Sequence, residues 1–272
     1  MLSLKSIFLW ITALILISLM SGCSHLKTRV TQEFKTFPES ERVHYQEGAE
    51  ELAHYIADHI EEWMIETEMA QYRHFEQPEK IQVYVFNQAE NYADYGYAHI
   101  NTRVRASTND IYISPLILEQ IETLPNILMH EMSHIHLRQF IGTLTYVKDV
   151  PDWFHEGVAT DSSNGAGAEK VTIDEAIEAF KQGKHFEPSL EASLLGHKTV
   201  HNYDLTPQMY YRQTQLFIMF LKAYNSNSFR DLYVSLTKKQ SFKTVWKQHY
   251  GKELPELWDV FMEQLKSYQK EV

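Results

Sequence analysis

Two histidines and a glutamate at positions 130–134, in the order HEMSH, have the types and spacing that most directly indicate chemistry in this chain. Residues four positions apart lie on one face of a helix, so His130 and His134 can present their imidazoles to one metal ion. Glu131 would then lie beside that ion, where its carboxylate can take a proton from a water molecule. The pattern predicts a catalytic metal site, provided that these residues are helical.

A third ligand is required, because a catalytic zinc site has three protein ligands and an open fourth position. Glu156 follows His134 by twenty-two residues, in the segment PDWFHEGVA at 151–159. We predict that a second helix brings this carboxylate to the metal. His155 is the alternative third ligand, although adjacent residues on a helix point about 100° apart. A third histidine six residues after the motif is excluded, because Phe140 occupies that position.

A small sheet is predicted before the metal motif. Alternating apolar residues predict strands at 81–86 and 109–114, and the tyrosine-rich residues 92–106 are expected to be irregular or to form edge strands. Further upstream, apolar residues at three- and four-residue spacing over 49–64 predict a long helix. The sequence PESE at 38–41 is expected to start that helix.

Helices are predicted for both halves of the metal site. The first follows Thr123 as N-cap, has Pro125 in its first turn and ends at Gly142. The second begins at Trp153 and carries Glu156. Helical periodicity continues in four segments, at 174–182, 208–224, 229–237 and 254–270. Together these elements predict an α+β fold with a helical C-terminal lobe.

The N-terminus has the pattern of an export signal. An apolar run at 7–20 follows Lys5 and is short for a membrane-spanning helix. It ends at LMSGC, which resembles the lipobox of bacterial lipoproteins, with Met20 where that family usually has leucine. The lone cysteine of the chain, Cys23, is the residue that would be lipidated. The alternatives are an ordinary cleaved signal, which leaves a free thiol, and an uncleaved anchor.

The lipobox resemblance implies three segments. Residues 1–22 would be the signal peptide, residues 23–37 the lipidated cysteine and a polar tether, and residues 38–272 the catalytic domain. Ser24, in place of aspartate after the cysteine, favours the outer membrane over the inner one. The protein is therefore expected in the bacterial cell envelope, facing the periplasm and attached to the membrane through an N-terminal lipid.

The two metal motifs together resemble those of the thermolysin-like gluzincin peptidases of clan MA, and most closely a compact bacterial branch with the signature Pro-x-Trp-Phe-x-Glu-Gly-x-Ala. The resemblance covers roughly residues 81–268. It implies a zincin domain with a small mixed sheet and one Zn²⁺ per chain. In it His130, His134 and Glu156 would bind the metal, Glu131 would be the general base, and a peptide or protein would be the substrate.

Two further roles follow from this resemblance alone. The family has an acid four residues after the third ligand, which orients a zinc histidine. That position is Thr160 here, so either Asp161 takes the role through a shifted helix or another group does. The sequence YYRQT at 210–214 resembles the Tyr-x-Gln-Ser/Thr start of a downstream helix in the family. Tyr211 is therefore the expected donor to the oxyanion, with Tyr210 as its rival.

The charge and the motifs of the chain limit the possible classes of function. The chain has 25 basic and 36 acidic residues, a net charge of −11, which argues against nucleic acid as a partner. The alternative function is a zinc-binding lipoprotein that serves as an interaction or assembly module without catalysis, but the presence of Glu131 favours an enzyme. The chain lacks the Gly-x-Met-Glu-Asn motif of the aminopeptidases of this clan, so an endopeptidase is expected.

Overall fold

The computed structural model describes residues 32–192 and 198–268. Within these ranges the chain forms five strands, namely β1 (Lys35–Phe37), β2 (Ser40–Tyr45), β3 (Gln82–Val85), β4 (Val104–Ala106) and β5 (Asp110–Ile113). The same ranges contain ten α-helices, namely α1 (Glu50–Ala70), α2 (Ala89–Gly96), α3 (Leu124–Ile141), α4 (Thr143–Asp149), α5 (Asp152–Ser162), α6 (Ile173–Lys181), α7 (Pro207–Tyr224), α8 (Ser226–Leu236), α9 (Phe242–Tyr250) and α10 (Leu254–Ser267). The predicted signal peptide at 1–22 and the predicted lipidation site at Cys23 lie outside the described residues.

The described residues divide into two compact units, of which the first contains residues 32–57, 82–105 and 112–119. Most of a five-stranded sheet belongs to this unit, with the strand order β1-β2-β3-β5-β4. β1 is antiparallel to β2, whereas β2 is parallel to β3, so the sheet is mixed. Val43 and Val83 are partners in the β2–β3 pair and are both fully buried. The predicted α+β class is confirmed.

Aromatic rings form a core in the first unit. Phe86, Tyr92 and Tyr112 are buried together, and the rings of Phe86 and Tyr92 meet edge to face at 5.9 Å. Tyr92 belongs to α2, so the expectation of irregular structure or strands is wrong for residues 92–96. A helix forms because Tyr92 and Gly96, four residues apart, face the same core. A Cβ on Gly96 would lie 3.2 Å from the ring of Tyr112, so the close packing of α2 requires glycine.

The second unit contains residues 58–81, 106–111 and the described residues from 120 onwards. Its core is helical, and α5 packs chiefly against α7 and α3. Trp153 and Phe154 of α5 are buried in this core beside Phe217 and Phe242. The bulky rings are therefore on the helix that carries Glu156, and their burial fixes its position.

The structure corrects the prediction for the residues before α1. The helix start expected at 38–41 is wrong, because these residues lead into β2 and α1 begins only at Glu50. The burial of SERVHY alternates with a period of two, as a strand requires. Lys35–Phe37, assigned by the sequence to the tether, forms β1.

Helices α4 and α9 lie in segments for which no helix is predicted. Both are short, so the apolar periodicity that would reveal them is weak. Across the described ranges, no helix combines the length and apolar composition needed to cross a membrane.

Candidate metal centre

Helix α3 presents two imidazoles to one point. As predicted, Pro125 lies in its first turn and Gly142 follows its last residue. The φ of Gly142 is 80°. The side chains of His130 and His134 are one turn apart and 7% exposed each. Their Nε2 atoms lie 3.2 Å apart. The predicted helical context of the motif is confirmed.

Helix α5 brings the carboxylate of Glu156 to the same point. Its Oε2 lies 3.4 Å from Nε2 of His130 and 3.5 Å from Nε2 of His134. Gly157 makes this placement possible, because a Cβ there would come within 2.7 Å of the Ile218 side chain and 2.8 Å of the Thr214 carbonyl oxygen. This role of Gly157 was not predicted. A glycine inside a predicted helix is the sequence feature that could have indicated it, because a glycine needs no space for a side chain there.

The three ligand atoms fit a divalent cation. Ligands about 2.05 Å from a tetrahedral zinc ion are roughly 3.3 Å from one another, and the three observed separations are 3.2, 3.4 and 3.5 Å. Oε2 of Glu156 is buried and accepts no hydrogen bond within the described part of the chain, as expected for an oxygen whose partner is a cation. His130, His134 and Glu156 therefore form a group that could hold a metal ion.

The electrostatics of the cluster favour a charged carboxylate. Burial raises the pKa of Glu156, but the charge of His134 and the close approach of both imidazoles hold that pKa well below its usual value. Burial lowers the pKa of His130, but the close approach and the charge of Glu156 more than offset it, so this pKa is raised. A cation at this point would compete with the proton of His130 for the same nitrogen.

Glu131 is held by a backbone hydrogen bond, and its charge contributes to the raised pKa of His130. Its Oε2 accepts a hydrogen bond of 2.8 Å from the N–H of Ala106, the last residue of β4. This contact fixes the direction of the carboxylate without a charged partner. The sequence gave no signal for it, since any residue other than proline provides a backbone N–H.

Tyr146 of α4 is the residue that orients His134. Its hydroxyl lies 2.9 Å from Nδ1 of the histidine. With a metal ion on Nε2, Nδ1 would carry the proton and donate it to the tyrosine oxygen. The guanidinium of Arg138 lies 4.7 Å from the centre of the Tyr146 ring and donates to the carbonyl oxygen of Ser107. Burial raises the pKa of Tyr146 well above its usual value, so the hydroxyl stays neutral.

The orienting role expected of Asp161 is not supported. Its carboxylate is paired with Lys222, whose Nζ lies 2.6 Å from Oδ2. Asp161 follows Thr160 by one position and so points about 100° away on the helix. The hydroxyl of Thr160, where the resembled family has its acid, is buried and has no hydrogen-bond partner among the described residues.

The two candidate tyrosines have different surroundings. The ring of Tyr211 lies 5.8 Å from that of His130, and the charge of Glu156, together with burial, raises the pKa of Tyr211. The hydroxyl of Tyr210 instead donates to Oδ2 of Asp152 at 2.9 Å. Of the two, Tyr211 is therefore the tyrosine whose ring lies beside a residue of the candidate metal group. Gly167 packs closely against the Tyr211 ring, since a Cβ on Gly167 would lie 2.8 Å from that ring.

The third histidine of α3, His136, is fully buried. Its Nδ1 lies 3.0 Å from the Tyr233 hydroxyl and its Nε2 2.9 Å from the Arg73 carbonyl oxygen. Burial lowers the pKa of His136 to about 4, so it stays neutral. The Tyr233 hydroxyl donates its hydrogen to Gln71, which in turn donates to Ser133 of the HEMSH motif. These polar contacts link His136 and Ser133 of α3 to Tyr233 and Gln71.

His155, the alternative third ligand, does not join the two histidines of α3. It lies on the other side of Glu156, with Nδ1 3.4 Å from Oε1 of that residue.

No model of a known protein family matches the chain, and no curated protein matches it either. The evidence for function is therefore the geometry of the site.

Proposed function

We propose that the chain is a zinc-dependent peptidase of the thermolysin-like gluzincin type, acting as an endopeptidase. The observation that carries this proposal is the triangle of ligand atoms from His130, His134 and Glu156, together with Glu131, whose charge acts on His130. A purely structural metal site has no need of such an additional acid. A mixed sheet and two helices that carry the ligands are elements that a zincin domain would contain.

One Zn²⁺ per chain would be held by the three ligands. When bound, the ion polarises the scissile carbonyl and lowers the pKa of water toward about 7. Glu131 takes the proton of the attacking water and passes it to the leaving amine. Tyr211 donates a hydrogen bond to the carbonyl oxygen as negative charge develops on it. Tyr146 keeps the His134 ring in the tautomer that leaves Nε2 available.

The substrate of the proposed enzyme is a peptide or a protein. An extended peptide can bind through backbone hydrogen bonds, so that its main chain supplies affinity and a side chain selects the cleavage site.

The first experiment is metal analysis of residues 24–272 together with digestion of a mixed peptide library, with and without a chelator. We expect one zinc ion per chain and chelator-sensitive cleavage between internal residues. Zinc without cleavage would favour the interaction-module alternative, and absence of zinc would refute the proposed function.

The division of roles is tested by Glu131→Gln. This variant keeps the hydrogen bond to Ala106 possible but removes the base, so we expect bound zinc to remain and turnover to fall by at least about a hundredfold. Loss of zinc together with activity would contradict the assignment of Glu131 as the base. Ser162→Ala, a change on the surface of α5, is the matched control and should leave both properties unchanged.

We also propose attachment to the bacterial outer membrane through a lipid on Cys23. The support is the apolar run at 7–20 and the position of the lone cysteine after it. Metabolic labelling with palmitate should mark the full chain and fail to mark Cys23→Ala, which should appear in the soluble fraction. Equal labelling of both proteins would refute the lipid assignment.

A further inference from the structure

We propose that His155, anchored by Asp152 and Tyr210, positions the third metal ligand by holding the second carboxylate oxygen of Glu156. This inference deepens the proposed function and rests on its metal site, but not on peptide cleavage. His155 is a positioning residue in this assignment, since it contacts the ligand and not the metal.

The geometry places His155 between two carboxylates. Its Nδ1 lies 3.4 Å from Oε1 of Glu156, and its Nε2 lies 3.7 Å from Oδ1 of Asp152. The other oxygen of Glu156, Oε2, faces the two histidines of α3. The two oxygens of one carboxylate are therefore divided between the metal position and His155.

This division has a consequence for coordination. A free carboxylate can bind a metal through one oxygen or both, and it can rotate between the two arrangements. The Nδ1 of His155 lies 3.4 Å from Oε1, so a proton on this nitrogen would attract that oxygen, keep Glu156 in one orientation and leave a single oxygen, Oε2, for the metal. Contacts of this kind typically change metal affinity by about ten- to a hundred-fold.

The anchor continues away from the metal. Asp152 accepts a hydrogen bond of 2.9 Å from the hydroxyl of Tyr210 through its other oxygen, Oδ2. Tyr210 is 1% exposed, and burial with the charge of Asp152 raises its pKa, so its hydroxyl remains a donor. The chain Tyr210–Asp152–His155–Glu156 thus runs from the core to the third ligand.

The imidazole is also fixed by stacking. The ring of His155 lies 4.7 Å from the ring of Tyr146, with 35° between the planes. Its centre lies 5.4 Å from that of His134. A test must therefore separate the hydrogen bonds of the ring from its packing, because loss of the ring would also disturb Tyr146.

A second cation bound by Asp152, His155 and Glu156 is the competing explanation, because their ligand atoms lie within 4.8 Å of one another. The two ring nitrogens of His155 face different carboxylates, however. A single ion bound by all three residues would need one ring nitrogen of His155 directed toward the oxygens of both Asp152 and Glu156. The positioning role uses both nitrogens as they lie.

The experiment compares three substitutions of His155 in the soluble form, residues 24–272. His155→Asn keeps a donor at the position of Nδ1, which faces Glu156. His155→Gln keeps a donor at the position of Nε2, which faces Asp152. His155→Phe keeps the stacked ring without donors. The dissociation constant for Zn²⁺ is measured by competition with a chelator, and thermal unfolding of each metal-free variant confirms that it folds.

We expect His155→Phe and His155→Gln to bind Zn²⁺ about ten- to a hundred-fold more weakly than the wild type, and His155→Asn to stay close to it. Asp152→Asn and Tyr210→Phe should give smaller losses in that order. With Co²⁺ as the probe, His155→Phe should show weaker visible absorption, since both oxygens of Glu156 can then bind and the coordination number rises.

Three results would overturn the proposal. Unchanged affinity in His155→Phe would show that only the stacked ring matters. Affinity in His155→Gln equal to or above that in His155→Asn would show that side-chain size decides. Two Zn²⁺ ions per wild-type chain, falling to one in His155→Phe, would establish the second cation site instead. Peptide cleavage by the wild type is scored separately, so its absence would refute the proposed function without changing this order of affinities.

Discussion

The two histidine ligands come from one turn of α3, yet the regions behind them differ. Behind His134, the hydroxyl of Tyr146 lies 2.9 Å from Nδ1, and Arg138 covers the ring of that tyrosine. Behind His130, Nδ1 is buried and has no hydrogen-bond partner among the residues that the structure describes. The hydroxyl of Thr160 is buried and equally without a partner in the described ranges.

This difference shows what the spacing of the motif controls. An interval of four residues directs both Nε2 atoms to one point, but the Nδ1 atoms face whatever packs behind the helix. A hydrogen bond at Nδ1 fixes the tautomer and increases the basicity of the ligand. We therefore expect His134 to be oriented before the metal binds, and His130 to depend on its contact with Glu156.

The strongest test of the comparison is Tyr146→Phe. The phenyl ring still packs under Arg138, but Nδ1 of His134 loses its acceptor. We expect zinc affinity, measured by chelator competition, to fall by about ten- to a hundred-fold.

Tyr233→Phe is the matched control for this change, because Tyr233 contacts His136, which is not a ligand. It should lower the free energy of unfolding by about 1–3 kcal/mol and leave zinc affinity unchanged. Equal zinc affinity in Tyr146→Phe and the wild type would remove the distinction between the two histidines.

The pH dependence of metal binding tests the His130 side. Its raised pKa means that the metal-free protein holds a proton there, which a cation must displace. Affinity should therefore rise with pH until the pH exceeds that raised pKa, and fall about tenfold for each pH unit below it. The lowered pKa of Glu156 keeps its carboxylate charged throughout this range. An affinity that stays constant from about pH 8 to below the usual histidine pKa of about 6.5 would contradict this expectation.

Thr160→Val tests the buried hydroxyl at the position where the resembled family has its acid. Valine has nearly the same shape, and it removes a buried group that has no partner in the described structure. We expect a gain of up to about 1 kcal/mol in the free energy of unfolding, with no change in zinc affinity. A loss of affinity would show that this hydroxyl supports His130 through a bound water.

Asp161→Asn should have the smallest effect. It weakens the pair with Lys222, which is partly exposed and worth at most about 1 kcal/mol in the free energy of unfolding. Zinc affinity should be unchanged, measured beside Tyr146→Phe. A fall in affinity of similar size in both variants would restore Asp161 as a residue that orients the site.

The parts of the fold that could be predicted are those with strong local periodicity. Strands β3 and β5 and helices α3 and α5 agree with the sequence to within two residues. The helix start at 38–41 was wrong because a proline followed by acidic residues resembles a helix N-terminus, whereas β2 forms through pairing with β1 and β3. Such pairing partners are distant in sequence and leave no local pattern.

The candidate site shows the same limit. His130, His134 and Glu156 could be selected because metal ligands are restricted to a few residue types at characteristic spacings. Tyr146 could not, since many tyrosines are present and its role arises from the helix α4 that follows Gly142. Asp161 was selected by analogy, and one position on a helix was enough to turn it toward Lys222 instead.

The sequence by itself determined which residues could hold a metal ion, and that two helices must carry them. It could do so because the i, i+4 geometry of a helix is local. The tertiary structure alone decided which groups stand behind His134 and Glu131, namely the hydroxyl of Tyr146 and the N–H of Ala106. Each of these contacts joins two different elements of the chain, and only the packing of those elements brings the atoms within hydrogen-bonding distance.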